Sequence, residues 1–527
     1  MDSVKLELFR SINDPIHGSI RMSNQEMQVI EHPLFKRLHH VRQNSFLYKV
    51  FPSAKHTRFE HSIGVMHLGS KILSTLIDNS EIADKGHDIA NYDVLFSQIN
   101  DTNGIGINLN ELLEEDFKIK IYKQLRFAAL LHDIGHGPLS HLFDAFAPTI
   151  DEFSEILNSD EKLIQEDNDI YKAIMNMLKE YQHKKSKKVN AEEVRIEHEH
   201  VSSYFTYLIL RNIDTSAIRN VLTILKPELQ LGNLIAKWGA LEINIIPLLN
   251  DIVASAPIDC DRMDYLKRDS YFAGVPYGNY SEDRVLKSML PYISSNEGVL
   301  NAHLGLKYSG LHAIENFLQA RYEMYVQVYG HKTNESCSFM LEELEKLESK
   351  RFREWTDINL RYEDFQNLYI HLTDESFLKK LSLKLSEKGK HTIQRLEKRD
   401  LWKRIYEVEE FIEKDKENTE LKEVFQKEFE IMKNNVDSSL ELFIGDRFPL
   451  KDFKNAAKIL EKTTTSYYIV SDTSLSTSSQ IIESLNKGLR VWRIYSPKNN
   501  EIQSLREYAK NKIHPKIKEL ETSKTST

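Results

Sequence analysis

The sequence predicts a mainly α fold with a small β-hairpin near the N-terminus and a minor α/β appendix near the C-terminus. Three observations carry this. Glycine and proline are sparse, 19 and 13 in 527 residues, so long stretches lack helix breakers. Apolar residues recur at spacings of three and four through most of the chain. Alternating stretches rich in β-branched and aromatic residues are confined to residues 5–22 and 466–496.

Residues 5–22 form the hairpin: KLELF and GSIRM flank the turn sequence NDPIHG. Residues 24–43 carry a helical stripe of Met27, Ile30, Leu34, Leu38 and Val41, and residues 58–76 carry another. The segment 80–120 reads as a polar, irregular insertion between core helices. KKSKK at 184–188 reads as a solvated loop. Residues 341–460 read as a charged helical lobe with many Glu–Lys pairs at helical spacing. The texture then changes. SYYIV at 466–470 and RVWRIYS at 490–496 read as strands around the helix SSQIIESLNKG, a small α/β unit over 461–515. The polar stretch 516–527 is expected to be a disordered tail.

The formal net charge is −9, which argues against a general nucleic-acid binder and leaves a local basic groove open. Two cysteines, Cys260 and Cys337, imply no disulfide framework. MDSVKLELFRS lacks an apolar signal segment, so a cytoplasmic location is expected. The most apolar stretch, 240–258, is interrupted by Glu242, Asn244, Pro247, Asn250 and Asp251 and is not expected to enter a membrane.

The chemistry concentrates in a few places. LLHDIGHGPLSHLFD, residues 130–144, places three histidines and two aspartates directly after an apolar run. A buried aspartate needs a partner. A divalent metal would satisfy His132 and Asp133 together, and His/Asp is a mixed N/O ligand set suited to Mn, Fe, Zn or Mg. A structural His–Asp pair at a helix end is the plain alternative. His61 lies in register with Val65, Leu68 and Ile72 and therefore faces the core, where it could be simply a satisfied core histidine. Asp261, Tyr265 and Asp269 share one helical face, as do Arg321, Tyr325 and Tyr329. The second face is either packing or one wall of a phosphate-and-sugar pocket.

Together these segments resemble a known family. His61…His132-Asp133…Asp261 resembles the H…HD…D signature of the HD superfamily of phosphohydrolases. NDPIHG, FPSAKHTRFEHSIGV, LLHDIGHGPLSHLFD, HEHVS and IDCDRMDYLKRDSYFAG resemble its deoxynucleoside triphosphate triphosphohydrolase branch, over roughly residues 10–335. The resemblance implies an HD-domain helical core over 1–340 and a divalent metal (Mn, Fe, Mg or Zn) held by His61, His132, Asp133 and Asp261. It implies an acid/base and hydrogen-bonding cluster of His136, His141, Asp144, His198 and Glu199, with His141 favoured to protonate the leaving group. It implies substrate contacts from Gln43, Asn44, Arg58, Arg262, Tyr265, Asp269, Arg321 and Tyr329. The implied reaction converts a dNTP to deoxynucleoside and tripolyphosphate. An activating nucleotide at a subunit interface of a homo-oligomer (dimer, tetramer or hexamer) is also implied. Trimming a dNTP pool suits replication balance or antiviral defence.

Several positions depart from the family pattern. Glu31, Lys36 and His39 in EHPLFKRLH replace residues that read an activating guanine, which argues against guanine-specific activation, while Asn13 and His331-Lys332 are kept. Asn44 replaces a ribose-excluding leucine, Gly330 replaces a glutamine near the base, and Arg262 replaces a phosphate-binding lysine. Two alternatives remain: an HD phosphohydrolase acting on another nucleotide (a monophosphate or signalling nucleotide), and a nucleotide-sensing or nucleic-acid-binding assembly.

Overall fold

The computed structural model describes residues 7–83, 99, 104–187, 189–239, 241–254, 257–353, 361–412, 419–448, 458–462, 468–471, 478–485, 488–498 and 500–525. The fold is mainly helical, as the periodicity predicts. The hairpin comes first. Strands β1 (Arg10–Asp14) and β2 (Gly18–Met22) pair antiparallel, with Asp14 opposite Gly18. The Asp14 carboxylate closes the turn by accepting the backbone N–H groups of Ile16 and His17, each at 2.9 Å.

The predicted stripe over 24–43 is real but broken. A helix covers Asn24–Glu31, Pro33 opens a short helical turn, and a 3₁₀ segment covers Arg37–His40. Ile30, Leu34, Leu38 and Val41 are buried. Helix α1 (Arg58–Ala83) buries His61, Val65, Leu68 and Ile72 completely. Helix α2 (Glu115–Leu131) packs beside it and ends at His132. The stretch expected to be irregular is therefore ordered from Gly104 onward, because Ile105, Ile107, Leu109, Leu112 and Leu113 are buried against the core. The earlier part of that insertion, residues 84–98, lies outside the described residues. KKSKK begins inside a helix that runs to Lys185.

Helix α3 (His198–Leu210), helix α4 (Cys260–Ala273) and helix α5 (Leu311–Met324) complete the elements around α1 and α2. Beside them, β3 (Met289–Asn296) and β4 (Val299–Lys307) form the centre of a seven-stranded sheet. Two further helices, α6 (Tyr362–His371) and α7 (Asp374–Lys384), lie in the C-terminal lobe against the core. Among the described residues, no helix is long and apolar enough to cross a membrane.

The C-terminal third differs from expectation. The lobe 341–460 is not wholly helical: β5 (Lys403–Ile412) and β6 (Glu441–Phe448) lie within it. They flank β7 (Gly488–Ser496) in an antiparallel sheet of order β5-β7-β6. The expected appendix does not stand alone either. Its strand Tyr468–Val470 joins the seven-stranded sheet while β7 joins the other. The charges of β5 hid it: Glu407 pairs with the fully buried Arg493 of the neighbouring strand rather than with a helical neighbour alone. The tail is also ordered, with a helix over His514–Thr525. Ile513 and Ile517 bury against Phe425 and Met432, and Lys516 pairs with Glu428 at 2.5 Å. Burial of one apolar edge thus outweighs the polar composition.

Candidate active site

The site forms where α1, α2, α3 and α4 meet. His61 projects from the first turn of α1, His132 and Asp133 from the end of α2, and Asp261 from the first turn of α4. His61 Nε2 lies 3.1 Å from Asp261 Oδ1 and 3.7 Å from Asp133 Oδ2. His132 Nε2 lies 3.4 Å from Asp133 Oδ2 and 3.7 Å from Asp261 Oδ1. One donor atom each from His61, His132 and Asp133 fits within 4.8 Å, the spacing of a metal cluster.

The second nitrogen of each ring decides which way the first one faces. His132 Nδ1 donates to the Ala129 carbonyl at 2.8 Å, and its Nε2 is buried without a hydrogen-bond partner. His61 Nδ1 donates to Asp264 Oδ2 at 2.8 Å. Both rings are therefore held with the Nε2 lone pair toward Asp133 and Asp261, as metal-binding imidazoles are held. These four residues fit a divalent cation. The electrostatics agree. Burial acts to lower both rings, but hydrogen bonds to Asp261 and Asp264 outweigh it at His61 and raise its pKa to about 10. At His132 the Asp133 and Asp261 charges do the same. Burial acts to raise Asp133, yet Arg58, His132 and His136 hold it well below the carboxylate range. The cluster is a field made for positive charge.

Asp264 was not singled out in the sequence, yet it organises the site from behind. It is fully buried, and so is Arg268, which donates to it from Nε at 2.7 Å and Nη2 at 2.9 Å. His17, from the hairpin turn, sits 2.6 Å from its Oδ1. Arg268 Nη1 continues to Asp14 Oδ2 at 2.7 Å. Helix α1 approaches so closely that a Cβ on Gly64 would fall 2.1 Å from Asp264 Oδ1. The signal was weak because Asp264 and Arg268 are spaced like an ordinary surface ion pair.

A second group lies beside the first. The rings of His136 and His198 stack at 3.6 Å, and His141 meets each edge-on at 4.8 and 4.9 Å. His198 Nδ1 lies 3.2 Å from Asp144 Oδ2, while His141 Nδ1 is 4.0 Å from it. Gly135 permits this meeting of segments, since a Cβ there would sit 2.1 Å from the His198 carbonyl. The buried Arg37, also missed from sequence, donates to the His136 carbonyl at 2.7 Å and to that of Ile134 at 2.5 Å. Burial first, then Arg58 and His198, keep His136 well below the ordinary imidazole value. His141 is lowered by the same causes, burial, then His198 and Arg58, but 72% of its side chain is exposed and water tempers the shift. Glu199 pairs with Lys226 at the edge of this group.

These groups open into one cavity of about 270 Å³, lined by Gln43, Arg58, His132, Asp133, His136, His141, His198, Glu199, Asp261 and Tyr265, among others. Arg58 is buried, paired with Asp133 and donating to Ser140 Oγ at 2.9 Å. The Gln43 side-chain oxygen, Oε1, is buried without a hydrogen-bond partner. Other expected contacts stand back from the cavity. Asp269 is held by His56 and by the Tyr329 hydroxyl, each at 2.6 Å. Arg262 turns to Asp259. The buried Arg321 guanidinium lies 5.3 Å from the Tyr325 ring centre. Asn44 is half-buried next to Gln43 and does not line the cavity.

Residues 108–207 match the HD domain family, and residues 295–443 match the HD associated region. An uncharacterized protein of Methanocaldococcus jannaschii is 26% identical over 517 residues, covering 97% of this chain and 84% of that protein. The mouse deoxynucleoside triphosphate triphosphohydrolase is 31% identical over 171 residues, 30% of this chain and 21% of that protein. The Dictyostelium discoideum homolog is 25% identical over 403 residues, 75% of this chain and 60% of that protein. The chain thus spans less than two thirds of either of these two enzymes. The fold matches the crystal structure of a hypothetical protein from Aquifex aeolicus with a TM-score of 0.56 at 22% identity, covering 94% of this chain and 99% of that one. It also matches a phosphohydrolase from Bacteroides thetaiotaomicron with a TM-score of 0.54 at 21% identity, covering 92% and 99%. His132-Asp133, at the end of a helix inside the matched HD domain, thus face His61 and Asp261, and the chain is similar to deoxynucleoside triphosphate triphosphohydrolases over part of their length.

Proposed function

We propose that this chain is a metal-dependent dNTP triphosphohydrolase, yielding deoxynucleoside and tripolyphosphate, whose activity depends on a second nucleotide bound in a homo-oligomer. The observation that carries the reading is the convergence of a His/Asp cluster that could hold a metal ion, an arginine and a row of histidines on one cavity. His61, His132, Asp133 and Asp261 would hold a divalent metal, which would supply Lewis acidity and lower the pKa of a water.

The chain's own residues then have distinct tasks. Arg58 exchanges Asp133 for a phosphate oxygen and places fixed positive charge where charge develops. Hydrolysis at the α-phosphorus breaks its bond to the 5′-oxygen, and that leaving oxygen takes a proton. His141 stands at the exposed mouth of the cavity and is assigned this transfer, with a bound polyanion raising its pKa toward the working range. His198, held by Asp144, orients the neighbouring rings. Tyr265 packs against the sugar, and the unsatisfied Gln43 Oε1 accepts from its 3′-OH. Support for a second, anionic ligand comes from a separate cavity of about 240 Å³ lined by Lys332, Lys403, Arg404 and Arg506.

One set of observations favours a second reading, a phosphohydrolase acting on a different nucleotide. Asp269 and Arg262 are engaged with protein partners rather than with the cavity. Product analysis separates the two. The purified protein is incubated with each dNTP singly and in mixtures, with Mn²⁺ or Mg²⁺. Deoxynucleoside plus tripolyphosphate supports the proposal, and turnover confined to mixtures supports nucleotide activation. Mono- or diphosphate products favour the second reading.

A further inference from the structure

We propose that Asp374, in the C-terminal lobe, is a positioning residue that holds the His136–Asp144 loop in its working shape. The inference rests on reading that loop as acid/base machinery. Asp374 is the first residue of α7, behind the N-cap Thr373, and only 2% of it is exposed. Its carboxylate faces away from its own helix toward two segments of the HD core. Oδ1 accepts the Leu139 backbone N–H at 2.8 Å. Oδ2 accepts the Arg42 backbone N–H and Arg42 Nη1, both at 3.3 Å. One side chain therefore ties the loop between His136 and His141 to the strand of chain entering Gln43.

The loop needs such a tie. Leu139 and Ser140 have φ of +59° and +54°, two consecutive non-glycine residues in the left-handed region. This conformation is unfavourable for L-residues and persists only where surroundings over-determine it. The surroundings here are specific. Ser45 Oγ donates to the Leu139 carbonyl at 2.6 Å, and Ser140 Oγ donates to the Arg42 carbonyl at 2.7 Å. Ser140 Oγ also accepts from Arg58 Nε at 2.9 Å, so the strained pair reaches the phosphate-facing arginine directly. Asp374 adds the bond from outside the HD core. Apolar contacts reinforce it: Phe143 meets Tyr369 of α6 at 5.9 Å and Phe377 of α7 at 5.4 Å, and Phe146 meets Phe377 at 5.2 Å. Release of Asp374 would let Leu139 and Ser140 relax, moving His141 and Arg58 together while leaving His61, His132 and Asp261 in place.

The test uses the full-length, metal-loaded protein and three variants: Asp374→Ala, Asp374→Asn and Glu375→Gln. Glu375 is the control, an exposed neighbour that binds Arg42 from the solvent side. Hydrogen exchange over 136–146 reads the loop without any substrate. Asp374→Ala is expected to speed exchange there by about ten- to a hundredfold, as loss of a charge-assisted hydrogen bond allows. Exchange in α1 and α4 and the metal content stay at wild-type levels. With substrate, kcat falls by about tenfold or more and KM rises as well, because Arg58, which meets the phosphate on binding, moves with His141. Asn retains one acceptor and falls between Ala and wild type, and Glu375→Gln behaves as wild type. Loop exchange within about twofold of wild type in Asp374→Ala overturns the proposal. So does an equal rise throughout the HD core in both Asp374 variants, which would mark a merely structural role. If the wild type hydrolyses no nucleotide, the proposed function fails while the exchange data still decide the role of Asp374.

Discussion

Replacing Asp264 by asparagine separates the orientation of His61 from the stability of the core. The wild-type carboxylate accepts from three side chains: His61 at 2.8 Å, His17 at 2.6 Å, and Arg268 at 2.7 and 2.9 Å. Asparagine offers one acceptor oxygen and one NH₂ that must face a donor. Every arrangement leaves His61 Nδ1 or Arg268 underserved. Where the oxygen stays with Arg268, His61 loses the partner that fixes its tautomer, and losses of this kind weaken metal binding about 10- to 100-fold. That range equals about 1.4–2.8 kcal/mol. Breaking a buried ion pair adds a stability loss of about 3–5 kcal/mol. Asp14→Asn is the matched control: it removes the other carboxylate of Arg268, 2.7 Å away, but does not touch His61. Chelator competition with Mn²⁺ reads metal affinity, and thermal unfolding in chelator reads stability. Asp264→Asn should lose both, and Asp14→Asn only stability. Equal metal loss in the two variants, or wild-type affinity in Asp264→Asn, would refute the reasoning.

Other outcomes follow from single contacts. His141→Ala should lower kcat by about 10²- to 10⁴-fold, the usual worth of a general acid, with metal content and unfolding temperature unchanged because the side chain is exposed. Steady-state kinetics with parallel metal analysis check it. Gly64→Ala should destabilise by more than the roughly 1–3 kcal/mol of ordinary overpacking and lower metal retention, because the new Cβ would sit 2.1 Å from the Asp264 oxygen. Thermal unfolding with and without metal measures both. His200 is held down to about 4 by burial and then by Lys226, and its Nδ1 accepts the Glu197 N–H at 2.9 Å. Its folded pKa lies below the unfolded value of about 6.5, so the unfolded chain binds a proton that the folded chain refuses between these values. Its contribution to stability is therefore level above about pH 6.5 and falls as pH drops toward 4. Unfolding as a function of pH should show a shallower acid limb in His200→Gln.

Much of the site was legible because it violates the local pattern. His61 interrupts the stripe of Val65, Leu68 and Ile72, and Asp261 with Tyr265 makes a poor apolar face. Such conflicts between period and polarity mark chemistry. The support was harder to see because it obeys the rules. Asp264 and Arg268 read as a helical ion pair, His17 as a turn residue, and Asp374 as an acidic first-turn residue beside its cap. Their partners lie up to 332 residues away in the chain, as for Arg42 and Asp374, and no local signal reports that. The C-terminal sheet was hidden for a related reason. Glu407 and Arg493 pair across strands, and in one dimension their charge imitates a solvated helix. Tyr325–Tyr329 is a π-helical segment, so the spacing of a straight helix ends there, yet Arg321 stays 5.3 Å from the Tyr325 ring centre and the Tyr325 and Tyr329 rings lie 5.2 Å apart.

The cavity sorts its histidines by environment, and this sorting separates the two halves of the proposed chemistry. His61 and His132 face Asp133 and Asp261, so their outward nitrogens sit where a cation is stabilised. The raised pKa of His61 has the same cause, its hydrogen bonds to Asp261 and Asp264, and a proton and a metal ion would compete for the same lone pair. His136 and His141 lie on the other side of Asp133, where Arg58 and His198 oppose a further positive charge. Both rings are held below the ordinary imidazole value there. A polyphosphate entering the cavity would draw Arg58 away from Asp133 and supply negative charge beside His141. Asp133 would then be left to the cation cluster, and His141 would gain affinity for a proton. Substrate binding would in this way strengthen the cation site and ready the acid at once, with Arg58 as the moving charge between them. Environments that push neighbouring pKa values apart assign acid and base roles in hydrolases generally. Here one arginine, anchored on Ser140 at 2.9 Å and so on the strained loop, couples the two environments.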